Sequence, residues 1–238
     1  MTIDLGVPVV FVHGGLCPDL FHPLLTEPAL ADRRLIRYHR AGYAGSPHVG
    51  FSVGAQAAHL GSLLRHRGID RAHVVGHSSG ACIALQFALD QPDAVRSLAL
   101  LETALLAVPS GPFAAVAMRQ FQAGERAAAV RTWWTGVAGE DSTLGESDAD
   151  TFFGHELPAV RAWSFGPAEA ARISQPVLAV LGARSHEVTP VFNQRHELLL
   201  SWLPRAESLI LPHATHLLPA QNPAGLAEGL ARFFTKMP

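Results

Sequence analysis

The chain has 238 residues, 48% of them hydrophobic and 16% charged, which is enough apolar material for one large core, as a single domain or one with an insertion. A net charge of −2, a pI near 6.7 and the lack of any basic block argue against a nucleic-acid partner or an anionic membrane surface. Two cysteines are too few for a disulfide framework, so Cys17 and Cys82 read as free thiols, Cys82 inside an apolar helix and Cys17 more exposed.

Met1–Gly6 shows no basic region leading into an apolar one, and the run Val7–Val12 is too short for a signal peptide or a membrane span, so a cytoplasmic chain is the expectation. Val7–Val12 instead reads as a buried parallel strand, short, valine-rich and bounded by Pro8 and Gly14. Leu35–Tyr38 is a second strand, followed by a helix in which Val53, Ala57, Leu60 and Leu64 recur at helical spacing behind Ser52 as N-cap. His73–Gly76 is a third strand, and Ala81–Leu89 a helix apolar on almost every face that stops before Pro92. Leu98–Leu101, Val177–Leu181 and Leu209–Leu211 complete the strands, with helices at Val191–Leu203 and Pro223–Phe234, the latter opened by proline. This alternation predicts an α/β fold with a mostly parallel, doubly wound sheet. Between Thr103 and Gln175 no strand is convincing. That stretch holds Trp133, Trp134, Phe152, Phe153, Trp163 and Phe165 among several glycines, and reads as a helical insertion above the sheet, residues 103–175, with 1–102 and 176–238 as the core.

Three motifs carry chemistry. Gly76-His77-Ser78-Ser79-Gly80 fits G-x-S-x-G between a strand and a helix, where small neighbours let a strained turn lift the Ser78 hydroxyl above the sheet beside a helix N-terminus. His13-Gly14-Gly15 ends the first strand, where glycine lets backbone N–H groups approach a ligand; the N–H groups of Gly15 and Ser79 would form an oxyanion hole, with Leu16 as fallback donor. His216 follows the last strand, late enough to serve as general base. His213 competes, but it sits at the strand end behind Pro212, where the loop has no length to return over Ser78. The other histidines show no metal-ligand spacing, and no metal or cofactor is expected.

Together with Arg40-Ala41-Gly42-Tyr43-Ala44-Gly45-Ser46 and the terminal His-Leu-Leu-Pro-Ala-Gln-Asn-Pro segment, these motifs resemble the α/β-hydrolase superfamily over most of the chain outside the insertion. The resemblance implies an eight-stranded sheet, a cap domain and most often ester hydrolysis without a cofactor. The sequence departs from it twice. Few residues precede the first strand, so the leading antiparallel hairpin is expected to be missing or rudimentary. Ser185 stands three residues after Gly182, where family members usually carry the triad aspartate. Some members place the acid after the elbow helix instead, which here is Glu102 at the end of Leu98–Leu101. A glutamate there is costly to bury without a partner such as His216. Glu187 is the alternative.

The expected activity is serine-dependent hydrolysis of a carboxylic ester or related acyl compound, with Ser78, His216 and Glu102 catalytic and Gly15 and Ser79 holding the oxyanion. Leu16, His77, Trp133 and Trp134 are expected against the substrate, a small molecule with an apolar or aromatic acyl or alcohol group. A hydrolase-like ligand-binding receptor and a cofactor-free lyase or cyclase on the same scaffold are the alternatives.

Overall fold

The computed structural model describes residues 6–237; the N-terminal stretch invoked for localisation otherwise lies outside the described residues. Its frame is a six-stranded parallel sheet in the order β2-β1-β3-β4-β5-β6, with β1 Val9–Val12, β2 Leu35–Arg37, β3 Ala72–His77, β4 Val95–Leu101, β5 Val177–Gly182 and β6 Glu207–Leu211. The eight strands implied by the resemblance are six among the described residues, and no antiparallel hairpin is among them.

The strands are rich in apolar residues, continuously so in β1 and β5, because both faces of the sheet are covered. One face packs α1 (Val53–His66) and α2 (Ser79–Asp90) against Val10, Val12, Val74, Leu98 and Leu100. Burial of Ala57, Leu60 and Leu64 fixes the rotation of α1, and Ser52 Oγ accepts the Ala55 N–H at 3.0 Å to cap its start. The insertion contributes α3 (Pro112–Gln122), α4 (Arg126–Ala138), α5 (Ala149–Thr151), a π-turn Phe152–Glu156, α6 (Leu157–Ala162) and α7 (Pro167–Ala170), and no strand. Gly139, at φ 74°, closes α4 in the left-handed region. Beyond β5 come α8 (Ser185–Val188), α9 (Val191–Trp202), α10 (Leu218–Gln221) and α11 (Pro223–Thr235). The opposite face of the sheet is covered by α11, whose Leu226, Leu230, Phe233 and Phe234 pack on Phe11, Val75 and Val180. Each such buried side chain contributes on the order of 1.5–3 kcal/mol.

A third apolar cluster sits at the carboxyl ends of the strands. Leu16, Cys17 and Leu20 from the loop after β1, and Leu181 and Phe192 from the core, meet Trp134, Val137, Phe152, Phe153 and Leu157 from the insertion. Cys17, expected to be more exposed, is buried here; burial pushes both thiols up to about 12, which leaves them unreactive.

Candidate active site

Ser78 occupies the turn between β3 and α2 with φ 54° and ψ −119°, a conformation that costs a non-glycine residue about 1–3 kcal/mol. The turn closes because Gly76 and Gly80, two residues to either side, lack side chains: a Cβ on Gly80 would lie 2.2 Å from the Val12 carbonyl oxygen. The Ser78 N–H donates to Leu101 O at 2.9 Å, and its carbonyl accepts from Ala104 N–H at 3.2 Å, so the turn is held by the backbone on either side of Glu102.

Glu102 also adopts a positive φ, 43°, immediately after β4, and is almost wholly buried. Its Oε2 is 2.7 Å from His216 Nδ1. Its Oε1 accepts the Gly182 N–H at 2.9 Å and a short hydrogen bond from the Ser185 hydroxyl. Ser185, at the position where the family pattern has an acid, is therefore a donor to Glu102. Burial raises the Glu102 carboxyl to about 7 against the pull of these two donors. Burial and the nearby Arg195 lower the His216 imidazole below its usual value. Glu187 is exposed and pairs with Arg184 at 2.8 Å, away from the histidine; His213 is exposed.

The loop carrying His216 is anchored on three sides. Thr215 Oγ1 donates to Ala138 O at the end of α4, and the Thr215 N–H donates to Gln221 Oε1 at 2.7 Å. The Phe192 ring stacks on His216 at 4.3 Å. A further contact corrects an expectation. His77 does not line the cavity; its Nε2–H donates to the His216 carbonyl at 2.8 Å, tying the elbow to the loop. Burial above all, with the neighbouring His216, lowers the His77 imidazole to about 3.

Ser78, His216, Gly15 and Ser79 share the wall of one cavity with Phe113, Trp133, Val137, Phe152, Leu157 and Val160. Gly15 is glycine for a local reason: a Cβ would fall 2.2 Å from the Phe152 ring. Trp133 stands at the cavity between Phe113 and Phe152, with ring centroids 5.5 and 4.8 Å away. Trp134 also reaches the wall, but its indole N–H is committed to Leu144 O at 2.8 Å and the residue is buried. Leu16, the other expected substrate contact, is fully buried in the cluster beneath the insertion and is not part of this wall, because its left-handed φ of 62° turns the chain there.

Sequence reasoning missed two groups. Arg40, from the Arg-Ala-Gly-Tyr loop, forms a buried ion pair with Glu156 on the π-turn at 2.8 Å; the Tyr43 hydroxyl donates to the same Glu156 oxygen, and Arg40 lies over the Tyr43 ring at 4.8 Å. Arg195 on α9 lines the cavity; its Nε and Nη2 donate to Val108 O at 3.0 and 2.8 Å, and Nη2 also donates to Ser110 Oγ. Among the described residues no cluster of metal-ligating side chains occurs, and no helix is long and apolar enough to cross a membrane.

Residues 7–146 match the family model described as alpha/beta hydrolase fold. A curated relative from Klebsiella pneumoniae, named "Putative carbamate hydrolase RutD", is 40% identical over 100 residues, covering 40% of this chain and 38% of that protein. A soluble epoxide hydrolase from Corynebacterium is 30% identical over 106 residues, covering 43% and 36%. The chain spans less than two-fifths of the length of these relatives. Among solved structures, Est816, described as an N-acyl homoserine lactone degrading enzyme, superposes with a TM-score of 0.77 at 23% identity over 96% of this chain and 93% of that one. Carboxylesterase CesB from Bacillus subtilis gives 0.75 at 18% identity over 97% and 84%.

Proposed function

The chain belongs to the alpha/beta hydrolase fold family, and from that premise we propose that it hydrolyses a carboxylic ester or related acyl compound through an acyl-enzyme on Ser78. The observation that carries the reading is the 2.7 Å contact of Glu102 Oε2 with His216 Nδ1, beside a cavity that Ser78 and His216 share. A carboxylate on Nδ1 keeps the hydrogen there and leaves Nε2 free to accept a proton. His216 takes the Ser78 proton as Oγ attacks the acyl carbon. The Gly15 and Ser79 N–H groups receive the oxyanion, and the imidazolium then protonates the leaving group. Water, deprotonated in turn by His216, releases the acid. Burial supports this cycle because it holds His216 neutral in the resting state.

Residues 103–175 act as the cap over this site in a cytoplasmic enzyme. Its Phe113, Trp133, Val137 and Leu157 favour an apolar or aromatic group on the substrate. The names of the relatives, a carbamate hydrolase, a lactone-degrading enzyme and a carboxylesterase, support the same reaction class. The family also includes a soluble epoxide hydrolase, but the serine in the elbow favours acyl transfer.

The test is labelling with a fluorophosphonate together with a panel of 4-nitrophenyl esters of rising chain length. The wild type should label and hydrolyse; Ser78→Ala, which the turn accommodates, should fold and do neither. A Ser78→Ala protein that still labels refutes the assignment. A folded wild type that binds these esters without turnover is a receptor.

A further inference from the structure

The cavity holds one charge that the proposed cycle does not use. Arg195 is 5% exposed, yet its partners are neutral, the Val108 carbonyl and the Ser110 hydroxyl, and it forms no ion pair among the described residues. The carboxylate at this wall is answered, Glu156 by Arg40 at 2.8 Å, while Glu102, outside the wall, hydrogen-bonds His216 and attracts Arg195 without touching it. A buried cation without an ion-pair partner is costly, and two neutral acceptors with the Phe192 ring at 5.9 Å offset only part of that cost. Desolvation correspondingly lowers its guanidinium to about 10. Its bonds engage Nε and Nη2, which leaves Nη1 outside these contacts. The remaining lining is mostly apolar.

Resting on the hydrolase reading above, we infer that the substrate carries a carboxylate as well as the scissile acyl group, and that Arg195 is the specificity-determining residue that receives it. A guanidinium suits a carboxylate because it offers parallel N–H donors and stays charged when buried. An anion beside Arg195 would supply the ion-pair partner it lacks, and the apolar wall would hold the carbon skeleton between the two ends. A clamp that only ties Val108 to α9 would predict no charge preference at all.

Two matched pairs of esters test this: mono-4-nitrophenyl adipate against its methyl ester, and 4-acetoxybenzoate against methyl 4-acetoxybenzoate. The first varies charge on the acyl side, the second on the leaving group. In at least one pair the anionic member should have a kcat/KM at least tenfold higher, the difference lying in KM and shrinking in 1 M salt. In Arg195→Met that ratio should fall to about one, and in Arg195→Lys to an intermediate value. A ratio near one in both wild-type pairs overturns the inference, as does a ratio that survives Arg195→Met. If the Met variant does not fold, the Lys variant and the wild-type salt dependence decide. Binding of hexanoate against hexanol, followed by tryptophan fluorescence, separates this inference from the reaction itself. Absent hydrolysis and labelling would sink the hydrolase reading, while hexanoate binding no tighter than hexanol would sink the role of Arg195.

Discussion

Replacing Glu102 by glutamine exchanges one carboxylate oxygen for an NH2 group, and the surroundings dictate how the amide sits. The Gly182 N–H at 2.9 Å and the Ser185 hydroxyl both donate to Oε1, so the amide oxygen must take that position. The amide nitrogen then occupies the place of Oε2, 2.7 Å from His216 Nδ1. A nitrogen bearing hydrogens donates there, so Nδ1 becomes an acceptor and the imidazole hydrogen moves to Nε2. In that tautomer the ring cannot accept the Ser78 proton. Wrong-tautomer substitutions of this kind cost about 10³–10⁴ in kcat, on the order of 4–5.5 kcal/mol in the barrier. Both buried donors remain satisfied and the desolvated charge is gone, so stability should move by no more than about 1 kcal/mol. The assay is kcat/KM on a short nitrophenyl ester, with a thermal melt to check the fold. A folded Glu102→Gln protein retaining a tenth or more of wild-type activity would refute the argument.

Ser185→Ala leaves a buried carboxylate oxygen with one donor instead of two; it should lower stability by about 1–3 kcal/mol in a denaturant titration, and an unchanged midpoint would deny the bond any weight. The acid limb of the pH–rate profile belongs to the Glu102–His216 pair, because a proton added to either partner places a hydrogen on Nε2. Activity should therefore be present above the apparent pKa and lost as pH falls through it. Since Arg195 lowers the His216 value, Arg195→Met should move the limb to higher pH, and a shift to lower pH would contradict the electrostatics. Trp133→Ala should alter chain-length preference more than activity toward 4-nitrophenyl acetate, whereas Trp134→Ala, which loses the bond to Leu144 O, should act through stability; the reverse pattern in ester panels and melts would reassign the two rings.

The sheet was legible because every inner strand contains an apolar run, unbroken in β1 and β5, and the elbow because its glycines abut backbone that leaves no room for a side chain. The edge strand β6 was read two residues short, since Glu207 and Ser208 face solvent and carry no apolar signal. Glu102 was readable from a local oddity, a carboxylate at the end of a buried strand. Arg40 and Glu156 were not, for they meet across 116 residues and neither neighbourhood announces the other. The arginine between Phe192 and Leu199 was hidden for a related reason: helical periodicity shows that a face is buried, but not that the burial abuts a cavity. The roles of His77 and Leu16 were misjudged because adjacency in sequence to Ser78 and Gly15 says nothing about side-chain direction once a turn reverses the chain.

The ends of β4 and β5 lie side by side, so that Ser185, just beyond β5, meets the Glu102 carboxyl that holds His216. This makes the two positions a single genetic unit. With an acid at both, two carboxylates would share one buried site and one of them would have to stay protonated. With an acid at neither, the imidazole would lose its orienting charge. A library randomised jointly at 102 and 185 should therefore return active clones that are anticorrelated, an acid at one site and a small hydrogen-bond donor at the other. Neither position scanned alone would reveal the rule.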